Sequence, residues 1–381
     1  MRHRFVESII HEAFPFLALP GPLIRPVTPP SSPARAIAWT DPARADAFFE
    51  WLARVGKQHA VLVATLRPAS SDASFRRYFR ADREAGGSVI VMDAPPPQED
   101  VKPFVHVAGL ISAAGLHAPR VLEADTRHGF LLLDDLGSEL YLQALQTAQA
   151  SGDLRRADLL MRDAIAALIT WQLKVPAPAL PPYDDALLRR ELALFPDWCV
   201  TRECGVTWSA TEQATWDEAC DQLVAAALAQ PVVAVHRDWM PRNLMVADPN
   251  PGILDFQDAV AGPIGYDVAS LLRDAFISWE EEQELDWAIR YWETARQAGL
   301  PVPADFGELW RGVEWIGLQR HLKVLGIFSR LKHRDGKPAY SQDLPRFFAY
   351  AHTVAARYSS LRPLSRLLEP LMGATTIEAF Y

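Results

Sequence analysis

Four short runs of apolar or alternating residues, at 61–66, 76–80, 88–92 and 129–133, follow a first segment in which Phe48, Phe49, Leu52 and Val55 recur at helical spacing. The runs have the length and period of strands, and Glu84-Ala85-Gly86-Gly87 between two of them reads as a hairpin turn. Thr40 or Asp41 is placed to cap the first helix, and a helical stretch over 103–114 interrupts the strands. The pattern predicts a small antiparallel sheet with one crossing helix. Beyond Leu136-Gly137 the period changes to that of long amphipathic helices, over about 155–174, 184–203, 212–229, 263–278, 280–298, 305–331 and 341–360. The exception is 232–256, where VVAV, LMV and ILDF read as short strands around loops.

This arrangement predicts an α+β fold of two lobes, a β-rich one over 41–133 and a larger helical one over 139–381, joined by a hinge at 134–138. Seven prolines between Phe14 and Pro33 set residues 1–40 apart as an extended or poorly ordered leader, because proline removes backbone donors and disfavours helix before it. The 381 residues are 49% hydrophobic and 22% charged, which excludes a disordered or fibrous chain. A formal charge of −9 argues against a nucleic-acid partner. No apolar run reaches the ~18 residues that span a bilayer, and Glu7, His11 and Glu12 break up any signal-peptide core. Three cysteines without C-x-x-C spacing read as reduced thiols. The expectation is a cytoplasmic monomer that uses no membrane.

The chemistry concentrates in 232–267. His236-Arg237-Asp238 is followed, after four residues, by Asn243, and twelve residues later by Asp255-Phe256-Gln257. The first set matches the H-R-D-x-x-x-x-N catalytic loop of kinases, and Asp255 stands where a metal-binding aspartate belongs. LMV and ILDF can pair across ADPNPG, which brings Asn243 and Asp255 to the same end of one hairpin. Two hard oxygen ligands would then face one Mg²⁺, with Asp238 nearby to orient an acceptor hydroxyl. Any one of these residues alone could be a cap, a core histidine or a strand-end carboxylate; their ordered spacing is the signal. In SSDASFRRYFR, residues 70–80, Ser71, Ser74 and the backbone amides could cover nucleotide phosphates, with Arg76 or Arg77 adding charge. In GFLLLDDLG, residues 129–137, an apolar strand ends at Asp134, Asp135 and Leu136, where the lobes change, and its backbone can meet adenine.

Together these segments resemble the aminoglycoside phosphotransferase family, whose fold is a protein-kinase-like bilobe. They are most similar to its subgroup of sugar kinases that phosphorylate N-acetylmuramate and N-acetylglucosamine at the anomeric C1. The likeness rests on DASFRRYFR, VIVMDAPP, FLLLDDLG, HRDWMPRNLM, ILDFQDAVAGPIGYDVASLLRDAF and RHLKVLGIFSRL, and spans about 41–360. It implies Asp238 as catalytic base, Asn243 and Asp255 as Mg²⁺ ligands, 134–137 as the adenine contact, ATP as donor, and a role in peptidoglycan recycling in a Gram-negative bacterium. One departure concerns the lysine that kinases carry on the third strand. Met92 stands there, so phosphate charge would fall to Mg²⁺ and to Arg76 or Arg77.

An amino-sugar site is expected near Asp238, from Glu191, Phe195, Trp198, Asp258, Tyr266, Asp267 and Arg273, since sugars are held by hydrogen-bond fans and an aromatic face. Arg189, Arg190, Arg242 and Arg273 suit an anionic or neutral sugar better than a polycationic antibiotic. The alternatives are another small-molecule kinase of the family, acting on an aminoglycoside, choline or homoserine, and a non-catalytic nucleotide-binding protein.

Overall fold

The Asp41 side chain accepts the Ala43 amide at 3.0 Å, and with proline at the first helical position it starts helix α1, Pro42–Gln58. The computed structural model describes residues 37–71 and 75–373. Residues 1–36, nearly the whole expected leader, lie outside the described residues, as does Ser74. Strands β1 (Val61–Ser71), β2 (Arg77–Arg83) and β3 (Ser88–Asp93) are followed by helix α2 (Lys102–Ala113), then β4 (Val121–Asp125) and β5 (Phe130–Asp134). The sheet is antiparallel, in the order β1-β2-β3-β5-β4. At the expected turn, Gly86 and Gly87 take φ of +89° and +78°, which glycine adopts without a Cβ clash.

The period of two divides the strands between two cores. Val89, Val91, Phe130 and Leu132 pack with Phe48, Leu52 and Val55 of α1 on the outer face. Met92, Leu131 and Leu133 turn inward to a second core with Phe104 and Ile111 of α2, continuous with the helical lobe. β5 is buried on both faces, hence its unbroken FLLL.

The second lobe contains α3 (Tyr141–Ser151), α4 (Leu154–Lys174), α5 (Asp185–Leu192), a π-helical segment (Phe195–Glu203) and α6 (Ala210–Leu228). Short strands β6 (Val232–Val235), β7 (Leu244–Met245), β8 (Gly252–Ile253) and β9 (Val260–Pro263) come next. They are followed by α7 (Tyr266–Leu272), α8 (Glu281–Gln297), α9 (Phe306–His333), α10 (Leu344–Arg357) and α11 (Arg362–Leu368). The 28-residue α9, capped by Asp305, runs through the middle, so Leu318, Leu322 and Leu325 are wholly buried. Among the described residues no helix is long and apolar enough to cross a membrane.

The departures from the sequence pattern have local causes. The expected helix over 184–203 is broken after α5, where Pro196 has no amide to donate and the chain widens into π geometry. Residues 260–263, of which only Pro263 was assigned, as the start of a helix over 263–278, instead pair with β6 as β9. β4, partly exposed and acidic, shows no alternation, and α3 is too rich in Gln and Ala to show a strong apolar stripe.

Gly326 of α9 lies against the main chain of Leu194, where an added Cβ would land on the Leu194 carbonyl. Gly326→Ala is therefore expected to destabilise the protein by about 1–3 kcal/mol, because the clash is with backbone that cannot rotate away. Thermal unfolding measures this; an unchanged Tm would mean that α9 and the π-helical segment are not tightly apposed.

Candidate active site

β6 delivers His236, Arg237 and Asp238 to the mouth of a cavity of about 680 Å³ that runs from residues 134–137 to α9. Arg237 has φ +76°, a left-handed conformation uncommon for a side chain with a Cβ. It lets two successive amides converge on one carboxylate: Asp267 accepts His236 N–H at 2.7 Å and Arg237 N–H at 2.9 Å. Asp267 is wholly buried, and burial pushes its carboxyl up to about 7 despite the two amides. His236 is buried too, its Nδ1 accepting the Asp238 amide at 3.3 Å, and burial pushes the imidazole down to about 4. At neutral pH it is an uncharged brace for the loop. The Asp238 side chain, 38% exposed, points into the cavity.

β7 and β8 form the expected hairpin, with Leu244 opposite Ile253 and Met245 opposite Gly252. Asn243 therefore precedes one strand and Asp255 follows the other. The Asn243 amide nitrogen donates to the Asp238 carbonyl at 3.0 Å and lies 3.5 Å from Asp255 Oδ2. Gln257 donates to Asp255 Oδ1 at 2.8 Å, and Asp255 itself has φ +59°. Both residues line the cavity, and neither of these bonds uses the Asn243 side-chain oxygen. Two hard oxygen donors with room for water and phosphate oxygens fit a Mg²⁺ ion, which takes few protein ligands.

From the β-rich lobe Arg76 reaches this pair. Its Nε donates to Glu99 at 2.9 Å, and although burial opposes the charge, Tyr78, Glu99 and Asp255 together raise its pKa. Arg77, one residue on, faces the other way: it binds Asp93, and its guanidinium lies 3.8 Å from the Trp39 ring centre. Met92 is fully buried between its cross-strand neighbours Tyr78 and Leu131, and the β3 side chain that lines the cavity is Ile90. The Asp134 side chain pairs with Arg120. Asp135 binds Arg80 and accepts Ser88 Oγ at 2.6 Å. Both carboxylates are thereby taken up, and Asp134, Asp135 and Leu136 form one wall of the cavity between apolar Ile90, Leu133 and Met245.

On the side of α9, Glu191 is a buried anion shared by Arg237, Lys323 at 2.9 Å and Tyr183. Burial works against it, but Lys323 and Arg237 bring it down to about 2. Arg320 is 3% exposed; its Nη2 lies 3.9 Å from Asp238 Oδ1, and its Nη1 has no partner among the described residues. Asp258 is exposed at the cavity rim. Arg273 is not brought there: it is buried between Glu284 at 2.9 Å and Glu314 at 3.2 Å, stacked on Trp310. Trp198 sits half-buried on the π-helical segment and does not line the cavity.

A base-like carboxylate, two adjacent oxygen ligands and a crossing arginine are the parts that phosphoryl transfer requires. The family model described as "Phosphotransferase enzyme family" matches residues 65–306. The chain belongs to this family. This phosphotransferase is 53% identical over 311 residues, 81% of its length and 89% of the relative's, to the N-acetylmuramate/N-acetylglucosamine kinase of Pseudomonas aeruginosa. It is 48% identical over 310 residues to the kinase of the same name from Neisseria meningitidis, covering 81% of this chain and 91% of that one. Among solved structures, an ethanolamine kinase of Plasmodium vivax is similar with a TM-score of 0.55 at 10% identity, over 81% of this chain and 86% of that one. A choline/ethanolamine kinase family protein of Mesorhizobium loti gives 0.52 at 15%, over 84% and 99%. These two show the bilobal kinase-like fold.

Several residues that build the phosphotransferase site were not singled out from the sequence: Glu99, Arg237 as a Glu191 partner, Arg320 and Lys323. The last two lie three apart in RHLK and so share one helix face, a spacing that offered the signal. Asp267 was expected at the sugar; it is buried and accepts the His236 and Arg237 amides.

The buried histidine carries a pH prediction. Its folded-state pKa of about 4 lies below the unfolded value of ~6.5, so its contribution to stability is fully present above ~6.5 and is lost as pH falls toward 4. Asp267, raised to about 7, acts with the opposite sign over much of the same range, so the comparison must be between slopes. His236→Gln is expected to flatten the loss of stability between pH 6.5 and 4 in urea unfolding. Parallel slopes for the two proteins would show that His236 is not held neutral.

Proposed function

We propose that this chain is an ATP-dependent kinase that phosphorylates the C1 hydroxyl of N-acetylmuramate and N-acetylglucosamine, with Asp238 as base and Asn243 and Asp255 as Mg²⁺ ligands. The observation that carries this reading is the placement of Asp238 at the cavity mouth beside the Asn243–Asp255 pair. The names of the relatives supply the sugars. ATP would lie with its base against 134–136 and its phosphates toward Arg76. Mg²⁺, when bound, would neutralise charge on the phosphates.

The acceptor oxygen attacks the γ-phosphorus, the bond to the β,γ-bridging oxygen breaks, ADP leaves, and the hydroxyl proton passes to Asp238. An anomeric hydroxyl is more acidic than an ordinary alcohol, so a carboxylate suffices as base. Arg237, Arg320 and Lys323 stand at the acceptor end beside Glu191, Asp238 and Asp258, so both signs of charge are available to hydrogen-bond a sugar there. The product would enter the reuse of cell-wall sugars.

Incubation with ATP and N-acetylmuramate, N-acetylglucosamine, glucose or kanamycin, read by ³¹P NMR, should give sugar 1-phosphates from the two amino sugars. Asp238→Asn should lower kcat by about 10²–10⁴ without loss of fold. Phosphate on kanamycin alone, or a fully active Asp238→Asn, would defeat the reading.

The two neighbouring arginines should separate. Arg76→Ala is expected to lower kcat/KM for ATP by roughly 10- to 100-fold, the scale of one charged hydrogen bond lost. Arg77→Ala, which undoes the Asp93 and Trp39 contacts, should act on Tm instead. The opposite pattern in steady-state kinetics and thermal melts would assign the phosphate contact to Arg77.

A further inference from the structure

A second cavity, of about 740 Å³, opens beside the first and shares Arg237, Asp258, Lys323 and Ile327 with it. It leads away from the hinge, between α2, residues 180–182, α5 and the C-terminal half of α9. Four cations line it, Arg190, Arg237, Lys323 and Arg330, against two carboxylates, Glu191 and Asp258. Glu191 is already committed to Arg237 and Lys323, and Asp258 is exposed at the rim.

Arg330 projects from α9 one turn beyond Ile327. Its Nε is buried without a partner among the described residues, and burial together with Arg334 lowers its pKa. The nearby acid Asp335 offsets this in part, but its ion pair is with Arg334 at 2.7 Å. A half-buried guanidinium with a buried N–H left unpaired is unfavourable unless a ligand supplies an acceptor.

Resting on the sugar-kinase reading, we propose that this second cavity is the subsite for the anionic substituent of the acceptor, with Arg330 and Arg190 receiving the lactyl carboxylate of N-acetylmuramate. N-acetylglucosamine differs from N-acetylmuramate by lacking that 3-O-lactyl group, so it leaves the cavity to water. The shared residues Arg237, Asp258, Lys323 and Ile327 are where the sugar ring would pass from one cavity to the other. The subsite therefore sets the ratio between the two sugars and leaves the transfer step to Asp238. A guanidinium suits a planar carboxylate, which it can hold in two-point fashion.

The test is the ratio of kcat/KM for N-acetylmuramate to that for N-acetylglucosamine, measured on wild type, Arg330→Gln, Arg330→Lys and the double variant Arg190→Gln/Arg330→Gln. The ratio is expected to fall by at least about tenfold in Arg330→Gln, further in the double variant, and less in Arg330→Lys. In parallel, the wild type is given N-acetylmuramate methyl ester, which removes the carboxylate charge without touching the protein. It should drop to a kcat/KM near or below that of N-acetylglucosamine. An unaltered ratio in the double variant, an equal fall for both sugars, or an ester used as well as the acid would overturn the subsite. A wild type that phosphorylates neither sugar would bring down the functional reading itself, and the subsite with it.

Discussion

The geometry of the site depends on one buried carboxylate. Asp267, in the first turn of α7, takes the amides of His236 and Arg237 and so fixes the direction in which the chain leaves β6. With those amides held and Arg237 in a left-handed conformation, Asp238 has to emerge into the cavity. Two supports keep the arrangement rigid. β9 pairs with β6 and leads directly into α7, so the carboxylate and the amides it binds are carried on adjoining elements. On the other side Arg237 is anchored through Glu191, whose partner Tyr183 is seated tightly over Gly262 of β9.

Charge is distributed unevenly around this frame. Near the hinge the carboxylates of Asp134 and Asp135 are consumed by Arg120 and Arg80, which leaves an apolar slot with polar backbone at its wall. At the far end one anion, Glu191, serves two cations, and Arg320 stands near Asp238 with part of its guanidinium unpartnered. On the proposed reading, a flat apolar base would meet the first end and a polar acceptor the second, with the phosphates between them. This polarity follows from which side chains are already paired, and the formal charge of −9 gives no hint of it.

The parts of the site written within a few residues of one another were legible in the sequence. Asn243 and Asp255 are joined by one short hairpin, so their spacing alone placed them together. Parts that depend on distant partners were not. Arg273 looked available for a sugar, but Glu284 and Glu314, 11 and 41 residues further on, bury it in an ion cluster. Trp198 sits on a stretch whose helical pattern did not disclose the break at Pro196. β9 was hidden because a four-residue strand rich in Gly and Pro shows no period of its own and exists only against β6.

The choice between Arg76 and Arg77 shows where pattern reasoning stops. Alternation says that neighbouring residues at the start of β2 face opposite ways, but it does not say which way faces the cleft. That is decided by Asp93, fully buried at the end of β3, which gathers Arg77 and Arg44 to the α1 side and leaves the cleft side to Arg76. The missing third-strand lysine has a local setting, since Met92 faces inward and is fully buried. Position 92 is closed in between Tyr78 and Leu131, where an ammonium would be buried without an anion, whereas Arg76 has Glu99 at 2.9 Å to hold its charge beside Asp255. On the proposed reading, the cation stands at the residue before β2, and its carboxylate brace, Glu99, comes from the segment between β3 and α2.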